Sequence, residues 1–156
     1  MKIRNFFILT IATFFYVGLL PFIPGTFGSL AGVVLYLLLS KAGLLTYILF
    51  TCGTIALGFL AAGKAEQALA RRDARYIVID EVSGILISFI LVPCGLRTIV
   101  VGFLLFRILD ALKPFPCKRL ENLEGASGIM FDDIIAGLYT NIILQVVLRL
   151  ASFKAS

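Results

Sequence analysis

Long uncharged apolar runs alternate with short polar stretches along the chain. No charged residue stands between Arg4 and Lys41, and Ala42 to Gly63 is again uncharged. Residues 5–20 (NFFILTIATFFYVGLL) predict a first apolar helix, ended by Pro21 and by Pro24-Gly25-Thr26. Proline lacks the N–H that a helix interior needs, and glycine adds backbone freedom. Thr26 is the expected N-cap of a second helix through Ser40, with Lys41-Ala42-Gly43 as the turn after it. Leu44 to Ala62 is the cleanest span, and the uncharged run around it is long enough to cross a hydrocarbon core of roughly 30 Å. The polar stretch Lys64 to Asp80 opens with a helix-like patch, KAEQALARR.

From Val82 to Leu112 the chain is apolar again, interrupted at Val92-Pro93-Cys94-Gly95. Proline and glycine so close together mark a turn, so this segment predicts a hairpin of two helices. Its first arm is short for a full span, which implies a tilted or partly inserted helix. A hairpin brings its ends back to one side, setting Asp80 and Glu81 near Arg107, Asp110 and Lys113. The loop Lys113 to Gly128 carries Pro114, Pro116 and Gly125. A last helix is expected from Ile129 to Ala151, with Asp132 and Asp133 in its first turn.

Composition sets the environment. Sixty per cent of residues are apolar, 15% are charged, and mean hydropathy is +1.05. A water-soluble globule of this size needs more polar surface than that. A soluble bundle would need a large apolar partner surface. The pattern therefore predicts one all-α domain over residues 1–156, a polytopic membrane helix bundle of about four to five apolar helices with polar loops on one face. The net charge of +5 gathers between apolar runs, at Lys64, Arg71, Arg72 and Arg75, then at Lys113, Lys118 and Arg119. Basic loops of this kind read as cytoplasmic and close to anionic headgroups, with no nucleic acid implied. Lys2 and Arg4 precede an apolar run as in a signal peptide. The run continues to Leu20 without a small-residue cleavage site, and is read as retained. Cys52, Cys94 and Cys117 have no metal-ligand spacing and receive no role.

Ionisable groups at the edges of apolar helices are expensive and need a reason. Three acidic clusters qualify: Asp80-Glu81, Asp110 and Asp132-Asp133. Adjacent helical residues point about 100° apart, so neither pair forms a clamp alone. Joined from separate helices, these carboxylates make the oxygen-rich site that Mg²⁺ prefers. Arg107 and Asp110, three apart, share a helix face. Arg107 could fork onto two phosphate oxygens while Lys113 supplies a point charge. Pro24 to Ser29 adds two glycines beside a helix N-terminus, where Thr26 and Ser29 could hold an anion. The plainer readings are a structural Arg107–Asp110 pair, helix-dipole stabilisation for one member of each acidic pair, and helix-contact roles for Gly84, Ser88, Gly137 and Asn141.

The segments PGTFGSL (24–30), DEVSG (80–84), FRILDALKPFP (106–116) and GIMFDDIIAG (128–137) resemble, in order, the successive motifs of the phosphatidylglycerophosphatase A family. The likeness spans roughly residues 17–145. It implies a Mg²⁺-dependent bacterial inner-membrane enzyme, multi-pass with its site facing the cytoplasm. Such an enzyme removes the phosphate of the membrane lipid phosphatidylglycerophosphate to leave phosphatidylglycerol. The resemblance implies roles for Asp80, Glu81, Asp132 and Asp133, expected to hold one or two Mg²⁺. It also implies roles for Arg107, Asp110 and Lys113, with Asp110 either a ligand or the orienter of Arg107. Histidine is absent, which excludes histidine-nucleophile phosphatases. No cysteine has an arginine at the distance of a phosphate-cradling loop, and no Asp-x-Asp is present. Metal-activated water remains. The alternatives are a phosphatase for another lipid phosphate, such as a polyprenyl phosphate, and a small ion-coupled transporter. A transporter would set its carboxylates near the bilayer midplane and often in two matching halves. Oligomeric state is left open.

Overall fold

The computed structural model describes the backbone of residues 3–68 and 75–155 and the side chains of 6–67 and 75–151. Arg71 and Arg72 of the expected basic loop, and Lys2, lie outside the described residues. Among those described, the chain is helical throughout: α1 (Ile3–Ala12), a 3₁₀ turn (Val17–Leu19), α2 (Pro24–Leu39), α3 (Leu44–Ala68), α4 (Ile79–Ser88), α5 (Leu96–Leu112), α6 (Cys117–Leu120) and α7 (Ala126–Ala155).

Among the described residues, two helices are long and apolar enough to cross a membrane, over Leu44–Gln67 and Ala126–Ala151. Each buries one stripe and turns an apolar face outward. On α3 the buried stripe is Tyr47, Thr51, Thr54, Gly58, Ala61, Ala62 and Ala65, while Leu45, Leu49, Leu57 and Leu60 are exposed. On α7 the outward residues include Leu138, Ile142, Val146 and Leu150. The buried threonines of α3 return their hydroxyls to its own backbone, Thr51 to Tyr47 O and Thr54 to Thr51 O, so neither hydroxyl is stranded.

Helix α4 is the hub. At about 1.5 Å per residue it reaches only about half a bilayer. It packs against α2, α3, α5 and α7, and its residues from Val82 to Ser88 are all buried. Two glycines make this packing close. A Cβ at Gly137 of α7 would collide with the carbonyl oxygen of Gly84 of α4, and one at Gly84 would lie 2.6 Å from the Phe106 ring. The last carbonyls of α4 and those of the following turn lack the regular i+4 helical partner. Only short turn bonds, such as Phe89 N–H to Leu86 O (3.3 Å), replace some of them. Side chains from the surrounding helices supply them. Tyr47 donates to Leu86 O, Asn141 to Ser88 O (3.1 Å) and Ile90 O (2.8 Å), and Tyr36 to Val92 O (3.1 Å).

Three expectations are corrected. The first helix ends at Ala12, not residue 20. Phe14, Phe15 and Tyr16 then take left-handed φ values of 44°, 53° and 68°. Tertiary contacts hold this break: Val78 N–H donates to Ala12 O at 2.9 Å, and Gly18 packs against the backbone of Tyr76. The second helix starts at Pro24, with Ile23 in the N-cap position and Thr26 inside its first turn. Proline suits the first helical position, since its missing N–H would be unpaired there anyway. The last helix starts at Ala126, so Asp132 and Asp133 lie in its second turn and helix-end stabilisation does not account for them. The hairpin between Val82 and Leu112 is present as α4 and α5.

Candidate active site

Among the described residues, helix ends converge at one end of the bundle. They are the starts of α2, α4 and α7 and the ends of α3, α5 and α6, and they bring polar side chains from distant parts of the chain together. A cavity of about 550 Å³ lies among them, lined by Glu66, Asp80, Glu81, Asp110, Lys113, Glu121, Asp132 and Asp133, among others. The first turn of α4 presents Asp80 and Glu81, and the second turn of α7 presents Asp133 across from them. One carboxylate oxygen from each lies within 4.8 Å of the other two. Asp80 Oδ1 also accepts the Glu81 N–H at 3.0 Å.

Glu81 fits because of Gly25. A Cβ there would collide with Glu81 Oε1 and would sit 3.6 Å from Arg107 Nη1. The start of α2 thus serves the site by lacking a side chain. Arg107, on α5, donates to Asp110 Oδ2 at 2.8 Å and to Ser29 Oγ at 3.4 Å. Ser29 is buried and donates its own hydroxyl to Gly25 O at 2.9 Å. Both contacts are made by the same Nη1 and anchor that end of the guanidinium.

Lys113 terminates α5 in the left-handed region, at φ 45°, a conformation that glycine usually takes at this position. There its ammonium reaches Asp132 Oδ2 at 2.7 Å and Glu121 Oε1 at 2.8 Å. Burial disfavours its charge, but the hydrogen bonds to Asp132 and Glu121 outweigh that and raise its pKa.

The negative charge is under-compensated. Burial first, then the charge of Glu81, pushes the Asp80 carboxyl well above the usual range. Burial raises Glu81 too, with the Asp80 hydrogen bond opposing. Glu81 Oε2 and Asp132 Oδ1 are buried without a hydrogen-bond partner among the described residues. Buried oxygens of this kind call for a cation or a proton.

Of the residues expected from sequence, Asp80, Glu81, Asp110, Lys113, Asp132 and Asp133 share one cavity, with Arg107 and Ser29 behind it. Thr26 is half-buried and is not among the lining residues. The geometry adds Glu66 and Glu121. Both lie in stretches dense with charge, where one carboxylate looks like any other solvated one. Asn141, read as a small-residue contact, is a hydrogen-bond donor to the α4 end instead.

Residues 10–148 match the family described as phosphatidylglycerophosphatase A. A Haemophilus influenzae phosphatidylglycerophosphatase A is 38% identical over 81% of this chain and 80% of its own length. The Escherichia coli protein of the same name is 35% identical over 78% of this chain and 72% of its own. A Bacteroides thetaiotaomicron protein, provisionally named a phosphatidylinositol-3-phosphatase, is 34% identical over 94% of this chain and 96% of its own. No solved structure matches the chain.

Proposed function

Since the chain belongs to the phosphatidylglycerophosphatase A family, we propose that it hydrolyses the terminal phosphate of phosphatidylglycerophosphate, leaving phosphatidylglycerol and inorganic phosphate. The observation that carries this reading is the joining of Asp80, Glu81 and Asp133 within 4.8 Å, beside Arg107 and Lys113.

Charge argues for Mg²⁺. Seven carboxylates line the cavity (Glu66, Asp80, Glu81, Asp110, Glu121, Asp132, Asp133), against one lining cation, Lys113, among the described residues. A phosphate monoester would be repelled from such a surface unless a cation stood between. The donor set is all oxygen, as Mg²⁺ requires, and two buried carboxylate oxygens lack other partners among the described residues. Asp80, Glu81 and Asp133 would hold the ion, with Asp132 at a second position. When bound, Mg²⁺ supplies charge neutralisation at the phosphoryl oxygens and lowers the pKa of a water.

The chain's own groups do the remainder. Arg107, braced by Asp110 and Ser29, presents its free N–H donors to phosphoryl oxygens. Lys113 holds Asp132 in place and adds a positive charge at the cavity wall. Hydrolysis forms a bond from a water oxygen to phosphorus and breaks the bond from phosphorus to the glycerol oxygen, which takes up a proton. The outward apolar faces of α3 and α7 support a multi-pass membrane protein whose substrate keeps its acyl chains in the lipid. Lys64, Lys113, Lys118 and Arg119, near the cavity end, support a cytoplasmic-facing site in a bacterial inner membrane. The shorter apolar helix α2 would bring the number of membrane-inserted helices beyond the two long ones.

The Bacteroides relative makes phosphatidylinositol 3-phosphate the second candidate substrate, and family membership leaves the transporter reading without support. The test is kcat/KM measured side by side for phosphatidylglycerophosphate, phosphatidylinositol 3-phosphate and a polyprenyl phosphate. The proposal expects the first to lead by at least tenfold. A lead by either of the others refutes it.

A further inference from the structure

Beyond the acidic cavity, two more hollows continue along the same edge of the molecule. A middle one of about 220 Å³ is lined by Pro24, Gly25, Arg75, Ile77, Asp80, Glu81 and Ile129. It shares Asp80, Glu81 and Ile129 with the acidic cavity. An outer one of about 660 Å³ is lined by Leu19, Leu20, Pro21, Phe22, Pro24, Arg75 and Tyr76. Pro24 and Arg75 belong to both. The three form one track, with the carboxylates at one end and an apolar groove at the other.

The ends differ in a way that suits an amphipathic ligand. Phe22 is 96% exposed, and Leu19, Leu20 and Ile23 beside it are exposed as well. An exposed apolar rim of this kind suits contact with lipid. Arg75 sits between this rim and the carboxylates, exposed, and makes no ion pair among the described residues. It is the one cation lining the middle hollow among the described residues. A guanidinium at the level where an apolar rim meets a polar cleft is where a lipid's own phosphate would lie.

We propose that Arg75, with the groove beside Leu19, Leu20 and Phe22, binds the phosphodiester that the lipid substrate retains. The enzyme then reads two phosphates separated by one glycerol, cleaving the monoester over Asp80 and Glu81 and gripping the diester at Arg75. The inference rests on the proposed phosphatase activity and deepens it: specificity is for a lipid with a second anionic group one glycerol away from the phosphate that leaves. A lipid whose only phosphate is the monoester places nothing at Arg75.

The test compares the full-length wild type, Arg75→Ala and Arg75→Lys in mixed micelles. Two substrates are used: phosphatidylglycerophosphate and phosphatidic acid, whose one phosphate is the monoester. Phosphatidylglycerol, which has the diester alone, serves as competitor. Loss of a charge-assisted contact predicts that Arg75→Ala raises KM for phosphatidylglycerophosphate about tenfold or more, with kcat changed less than threefold. The inhibition constant of phosphatidylglycerol rises in parallel, and Arg75→Lys recovers part of both losses. Equal loss on both substrates, as a general membrane contact would give, overturns the proposal. So does a wild type that phosphatidylglycerol fails to inhibit, or an inhibition constant that Arg75→Ala leaves unchanged. A wild type inactive on phosphatidylglycerophosphate overturns instead the phosphatase reading beneath it.

Discussion

Asn141 donates its side-chain amide to the carbonyl of Ile90 at 2.8 Å, and the same amide reaches Ser88 O at 3.1 Å. With Tyr36 and Tyr47, this side chain closes the end of a helix that stops inside the bundle. Backbone buried in this way is tolerated only when its polar groups find partners in protein. Asn141→Leu keeps the volume and removes the donor. Stability should fall by about 1–3 kcal/mol, the usual cost of stranding buried carbonyls. A lower midpoint of unfolding in detergent is the readout. An unchanged midpoint would show that Gln145, 3.4 Å from the same Ile90 carbonyl, suffices alone.

The crossing of α4 and α7 depends on two bare backbones. Gly137→Ala should destabilise the protein, because the added Cβ meets the Gly84 carbonyl rather than a movable side chain. At Gly53, in α3, a Cβ would meet nothing within 4 Å. There the same change should stabilise by up to about 1 kcal/mol through helix propensity. Thermal midpoints of the two variants moving in opposite directions would support the packing, and movement in the same direction would contradict it.

Arg107 is held at fixed orientation by Asp110 and Ser29, which matters only if its planar shape is used. Arg107→Lys keeps the charge and loses the fork. The expected result is a fall in kcat of about tenfold to a hundredfold with little change in stability. Wild-type turnover in this variant would reduce Arg107 to a structural ion pair.

Under chelator, Asp80, Glu81 and Asp133 repel one another, so Asp133→Asn should be at least as stable as wild type. Mg²⁺ should reverse the order. At a concentration of 100 times its dissociation constant, a ligand of the native state adds about 2.7 kcal/mol. Wild type should therefore gain in melting temperature and Asp133→Asn should not. Equal gains would remove Asp133 from the ligand set.

Much of this arrangement was legible from residue patterns. The apolar runs gave α2, α3 and α5 within a few residues, and Pro93 and Gly95 gave the turn that folds Asp80 and Glu81 back toward Asp110. What escaped was set by contacts distant in sequence. Residues 13–16 (TFFY) contain no glycine or proline, yet the helix breaks there, because Val78 takes the Ala12 carbonyl and Tyr76 crowds Gly18. Thr26 has the chemistry of a cap, but Pro24 two residues earlier already starts the helix. Asn141 looked like a lining residue of a helix contact. Its purpose appears only when α4 is seen to end beside it. Glu66 and Glu121 were hidden in charged stretches until the helix ends converged.

Metal-dependent hydrolysis of a lipid phosphate at the carboxylate cluster is tested by phosphate release from phosphatidylglycerophosphate, using the purified protein in detergent with chelator and then with added Mg²⁺. Release should stop with chelator, return with Mg²⁺ and be absent from Asp133→Asn under both conditions. No release from folded wild-type protein with Mg²⁺, or release that chelator leaves untouched, would contradict it.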